Sequence, residues 1–221
     1  MGSRLGTRQP ESLDSSSSVT ALISELRRQR PPLGSRVLRS RAAEAPMPGK
    51  PIAIERGPVR GRPLVLHCPA GLRDCWPRPL AWLWHRLYPD LFDDDDLRLA
   101  LNQPRYHFVE WFAAVHLFHT HGVRALVSKY GYETHPRKRR LAEKLLGQAG
   151  RAYLRRRLEG QPPDLLLFRP DLSAFWFAEV KGPRDRLRQA QLRNHRRLAS
   201  RFSVRVDVIT VCYVSDEVRR R

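Results

Sequence analysis

The sequence has no hydrophobic run able to cross a bilayer. A spanning helix needs about 20 apolar residues in succession, and apolar stretches such as the eight residues Val208–Ser215 fall far short. No signal-peptide pattern opens the chain, because Arg4 and Arg8 are followed by serine and charge instead of an apolar core. Gly2 would suit N-myristoylation, but Gly6 stands where that signal needs Ser or Thr. Cysteine is scarce. Cys68, Cys75 and Cys212 are odd in number and widely spaced, which argues against a disulfide framework and fits a reducing, cytoplasmic setting, nucleoid-associated if the source is bacterial. Acid is also short: 22 acidic residues face 41 basic ones, a net charge of +19. Such a field attracts polyanions, and the lack of a membrane segment makes nucleic acid the expected partner.

At 221 residues with 41% hydrophobic content the chain can build one ordinary domain plus appendages. Residues 1–50, with the run Ser15–Ser18 and Pro31-Pro32, read as a disordered basic, Ser-rich tail. Within it Val19, Leu22, Ile23 and Leu26 fall at helical spacing. Residues 51–104 read as an N-terminal extension, with a strand at Pro63–His67 and a helix over Pro79–Tyr88. The four carboxylates Asp93–Asp96 invite a metal reading. Adjacent residues of a helix point in different directions, however, and a cap ahead of Leu97–Leu101 accounts for them better.

The remainder, 105–221, reads as the main domain. Phe108, Trp111, Phe112, Val115 and Phe118 recur at three- and four-residue steps and predict a helix over 105–121, with Glu110 beside the apolar stripe. A further helix is expected over 122–130 and a basic one over 137–158, which leaves no strand between Glu110 and Asp164. The pattern then changes to a strand over Asp164–Phe168, a turn, and a strand over Phe175–Lys181. An Arg- and Gln-rich helix over 185–201 and a strand over Val204–Tyr213 follow.

The two middle strands carry the chemistry. A period of two puts Glu179 and Lys181 on one face with Val180 opposite. A five-residue turn folds the strands into an antiparallel pair, bringing Asp164 and Glu179 to one end of the sheet. Two carboxylates there repel unless a cation lies between them, and hard oxygen donors suit Mg²⁺ or Mn²⁺. A divalent ion polarises a phosphoryl oxygen and supplies hydroxide near neutral pH, with Lys181 placed to position or activate the water. His116, His119 and His121 form a rival metal cluster, and a wet helix face explains them better. The basic stretches 137–157 and 184–201 are plausible phosphate tracks, with Arg155, Arg156, Arg157, Arg184 and Arg186 as candidate contacts.

Pro163-Asp164, followed fifteen residues later by Glu179-Val-Lys-Gly-Pro-Arg-Asp-Arg-Leu187 and then Gln191, resembles the VRR-NUC family of PD-(D/E)XK nucleases. The match is similar to the nuclease domain of Fanconi-anaemia-associated nucleases and their bacterial relatives. The resemblance implies an α/β restriction-endonuclease-like fold, a mixed sheet flanked by helices with a helical N-terminal part. It implies metal ligands at Asp164, Glu179, the Val180 carbonyl and the helical Glu110. It also implies a catalytic set of Lys181, Glu179, Asp164 and Gln191, with Mg²⁺ or Mn²⁺ as cofactor. DNA is the expected substrate, with branched forms among the candidates. Stand-alone members look like junction resolvases, which implies a homodimer. The alternative is a non-catalytic nucleic-acid-binding protein on a retained nuclease fold.

Overall fold

The structure is a computed structural model that describes residues 64–158 and 162–214. The expected tail at 1–50 and its short helix lie outside the described residues. The elements run β1 (Leu64–Pro69), α1 (Ala70–Asp74), α2 (Leu80–Leu87), α3 (Asp94–Asn102), α4 (Phe108–His121), β2 (Arg124–Val127), α5 (Pro136–Arg156), β3 (Leu165–Phe168), β4 (Phe175–Lys181), α6 (Gln189–Phe202) and β5 (Val206–Val214).

One five-stranded sheet organises them in the order β1-β5-β4-β3-β2. The predicted hairpin is present: β3 and β4 are antiparallel, with Leu165 opposite Ala178 and Phe168 opposite Phe175. The predicted return is present too, β5 lying parallel to β4 with Val180 opposite Ile209. β1 adds itself to the other side of β5, also parallel, so part of the N-terminal extension completes the sheet. The fold is the expected mixed α/β architecture with flanking helices.

Three sequence-based expectations are corrected. The helix over 122–130 is instead β2, and this strand, paired antiparallel with β3, fills the gap between Glu110 and Asp164. Gly122 ends α4 in the left-handed region (φ 64°), which lets the chain turn straight into the strand. The basic helix keeps its predicted span but is broken at Gly147 (φ 70°, ψ 167°), a conformation open to glycine at little cost. The last helix also begins later than expected, at Gln189.

Period-two alternation sorts the core. Leu166, Phe168 and Phe177 join Leu126, Tyr130, Ala142, Leu145, Leu154, Leu198 and Val204 in one buried cluster between the sheet and helices α5 and α6. α4 packs on β2, β4 and β5, with Trp111 stacked on Phe92 at 3.7 Å. The acidic run acts as the predicted cap. Asp93 Oδ1 accepts from the Asp96 N–H at 3.0 Å and the Asp93 N–H donates to Asp96 Oδ2 at 3.2 Å, satisfying two donors at the start of α3. Asp96 also forms an ion pair with Lys138 inside the protein, and Lys138 Nζ donates to the carbonyls of Val127 and Ser128.

Candidate metal centre

Four segments deliver side chains to one end of the sheet: the start of β3, the end of β4, the first turn of α4 and the first turns of α6. Asp164 precedes β3 on a pinned backbone. Its carbonyl accepts from the Ser128 N–H at 2.7 Å, and the preceding Pro163 carbonyl accepts from the buried Tyr130 hydroxyl at 2.7 Å. Its Oδ2 accepts from the Val180 N–H at 2.8 Å, so the Val180 backbone lies against the carboxylate. Glu179, 3% exposed, shares its strand face with Phe177 and so points toward α6. Its Oε1 accepts from Lys181 Nζ at 2.7 Å and from Gln191 Nε2. Gln191 is itself held, because its Oε1 accepts from the Arg188 N–H at 3.0 Å at the start of α6. The amide thus caps the helix with one atom and orients the carboxylate with the other.

Glu110 completes the group. It lies in the first turn of α4, and its Oε2 is shut off from solvent without a hydrogen-bond partner among the described residues. Burial pushes its carboxyl above the ordinary range, with Glu179 and Asp185 pushing the same way against Lys181. Burial likewise holds Asp164 well above the ordinary value, reinforced by Glu179 and Glu110. Burial also acts to raise Glu179, but the contacts from His195 and Lys181 outweigh it and hold that carboxyl below the ordinary value. Glu179 is therefore the carboxyl of the three that its surroundings favour as an anion, and its charge adds to the cost of ionising its two neighbours.

Three neighbouring carboxyl groups, with Glu110 Oε2 unpartnered among the described residues, fit a hard divalent cation, which would offset the repulsion that adds to burial in raising Asp164 and Glu110. Among the described residues no three Asp, Glu, His or Cys side chains are within reach of one shared ion as they stand. Glu179 Oε1 accepts from Lys181 and Gln191, and Asp164 Oδ2 from the Val180 N–H.

One site residue escaped the sequence reading. His195 Nε2 lies 3.5 Å from Glu179 Oε2, a charge contact without hydrogen-bond geometry. It follows Gln191 by four residues, so one face of α6 presents both to the same carboxylate; that spacing was the available signal. The rival histidines do not converge on an ion. His119 Nε2 is hydrogen-bonded with the Tyr88 hydroxyl at 2.8 Å and His116 packs on the Phe112 ring. Of the candidate phosphate contacts, Arg156, Arg157, Arg184 and Arg186 are exposed. Arg155 is also exposed but is paired to Glu133 at 2.6 Å.

A mixed sheet whose antiparallel hairpin ends in Asp164, Glu179 and Lys181 defines the PD-(D/E)XK class of nucleases. More particularly, residues 107–216 match the family model of the VRR-NUC domain, and the chain belongs to that family through this domain. VRR-NUC domains are PD-(D/E)XK-type nucleases, a class that generally uses divalent metals. No curated protein and no solved structure matches the chain significantly.

Proposed function

We propose that the protein is a Mg²⁺- or Mn²⁺-dependent nuclease that hydrolyses phosphodiester bonds in DNA, selecting flaps or junctions in repair or replication. The observation that carries this reading is the convergence of three carboxyl groups, two of them held above their ordinary pKa, around one lysine. Asp164, Glu179, Glu110 and the Val180 carbonyl would hold the ion. When bound, it supplies Lewis-acid polarisation of the phosphoryl group and lowers the pKa of water.

The protein's own groups do the rest. Lys181 keeps its ammonium beside Glu179, where it can orient the attacking water and meet the negative charge that builds on the phosphoryl oxygens. Gln191 keeps Glu179 from swinging away, which preserves the in-line geometry that phosphoryl transfer requires. The arginines at 156, 157, 184 and 186, with Arg155 in part, supply phosphate contacts that carry affinity without reading sequence. Two coordinated cuts at a junction need two sites, so the active form is a homodimer.

The test is cleavage of labelled linear, flap and four-way DNAs by wild type and Asp164→Ala, with Mg²⁺, Mn²⁺ or EDTA. Wild type cuts branched DNA in either metal, EDTA stops it, and Asp164→Ala is inactive yet binds DNA at least as well, because a carboxyl that would repel the phosphate on ionising is gone. Cleavage by Asp164→Ala at the wild-type rate would refute the site. DNA binding without cleavage in either metal would favour the non-catalytic reading.

A further inference from the structure

We propose that Tyr106 and Arg73, which precede the family domain, form a platform at the mouth of the carboxylate site that takes an unpaired nucleotide beside the scissile phosphate. The idea deepens the nuclease reading by naming the substrate feature recognised, and it rests on that reading.

Tyr106 stands out among the aromatic residues at the start of α4. Its neighbours Phe108 and Trp111 are buried, and Trp76 packs on both at 5.8 and 5.2 Å. Tyr106 is instead 66% exposed. The backbone beneath that ring is fixed from both sides. The Tyr106 carbonyl accepts from Trp76 Nε1 at 3.0 Å, and the Tyr106 N–H donates to the Gln103 carbonyl at 3.0 Å. A rigid anchor under a solvent-facing ring loses little entropy when a flat partner lands on it. Every nucleobase has such a face, so stacking selects unpaired nucleotides without reading their identity.

The position relative to the site follows from the same helix. Glu110 is four residues on, in the first turn of α4, and the N-cap residue His107 makes no side-chain cap there. The positive end of a helix favours an anion such as a phosphate. Phe108 links this end to β5 by stacking on Tyr213 at 6.3 Å. The Tyr213 hydroxyl accepts from Arg73 Nη1 at 2.7 Å, and Arg73 is exposed. β5 runs parallel to β4 with Lys181 opposite Thr210, so Tyr213, three residues further on, brings the Arg73–Tyr213 pair to the end of the sheet that carries the carboxylates. Arg73 is thus placed for a flanking phosphate while Tyr106 takes the base. An intact duplex keeps its bases stacked and cannot use the ring; a flap, a fork or a frayed junction can.

Fluorescence anisotropy in EDTA tests this with a labelled single-stranded oligonucleotide and the blunt duplex of the same sequence. Tyr106→Ala should weaken single-strand binding roughly 5- to 150-fold, the worth of one base–aromatic stack, and leave duplex binding unchanged. Tyr106→Trp should restore it. Arg73→Gln should weaken both ligands alike, because phosphate is common to them. Wild-type single-strand affinity in Tyr106→Ala, equal loss on both ligands, or no rescue by tryptophan would overturn the platform. Unchanged binding in Arg73→Gln would remove the arginine from it. The assay contains no metal and no cleavage step, so an inactive protein that keeps the tyrosine effect would refute the nuclease reading and leave the platform standing. Active cleavage without the effect would do the reverse.

Discussion

Glu110→Gln should make the metal-free protein more stable and the metal-bound one less so. Glu110 Oε2 is buried without a partner, and its carboxyl is raised by burial and by the charge on Glu179. Two like charges 4–6 Å apart at an effective dielectric near 20 repel by roughly 3–4 kcal/mol. A carboxyl with a raised pKa escapes part of this by holding its proton, so neutralising it should gain about 1 kcal/mol, or roughly 2–4 °C in a domain of this size. The pH dependence has a definite sign. A folded-state pKa above the unfolded value gives stability that is full at low pH and lost as pH rises through the folded value. The wild type in EDTA should therefore lose stability as pH climbs above the ordinary carboxylate range, and Glu110→Gln should lose less. Metal reverses the order: a divalent ion at a hundred times its Kd adds about 2.7 kcal/mol, a gain the variant should largely forfeit. Thermal melting in EDTA and in Mn²⁺ at pH 5.5 and 8 measures both effects. A variant that melts below wild type in EDTA at pH 8, or that keeps the full Mn²⁺ shift, would refute the assignment of Glu110 to the ion.

Two further perturbations probe the supports of the site. Lys138 is 0% and Asp96 2% exposed, and the pair ties α3 to α5, with Lys138 also reaching the carbonyls at the end of β2. Lys138→Met should cost about 3–5 kcal/mol by stranding a buried carboxylate, read by urea denaturation, and Lys138→Met with Asp96→Leu should recover part of it; no recovery would shift the role to the carbonyl contacts. His107 is pressed down to about 4, first by burial and then by Lys129 and Lys138. A folded pKa below the unfolded value of 6.5 gives stability that is full above 6.5 and lost as pH falls from there toward 4. His107→Asn, which tolerates the left-handed backbone at φ 69°, should flatten the loss of melting temperature between pH 7.5 and 5; an unchanged slope would acquit the histidine.

The hairpin that carries Asp164, Glu179 and Lys181 was legible because it obeys a local rule. Glu179 and Lys181 share a face by period two, and the turn after Phe168 is too short for anything but an antiparallel return. β2 was not legible for an equally local reason. Arg124-Ala-Leu-Val127 is four residues long, and Ala125, Leu126 and Val127 are all buried. A strand covered on both faces shows no alternation, and Ala-Leu beside a strong helix reads as more helix. Only the pairing with β3, some forty residues away in sequence, decides it.

The same contrast between local and distant information separates the site residues. Asp164, Glu179, Lys181 and Gln191 sit within one motif, whereas His195 joins them through the turn of α6 and Glu110 through the packing of α4 on the sheet. Both residues outside the motif act on charge. Glu110 adds a carboxyl to a cluster already short of counterions, and His195 brings a ring nitrogen to the one oxygen of Glu179 that Lys181 and Gln191 leave alone. A motif records which groups the chemistry needs; how strongly the site calls for a cation depends on what the fold packs around them. That is why the raised carboxyls of Asp164 and Glu110, which no spacing rule predicts, are the most informative physical property of this centre.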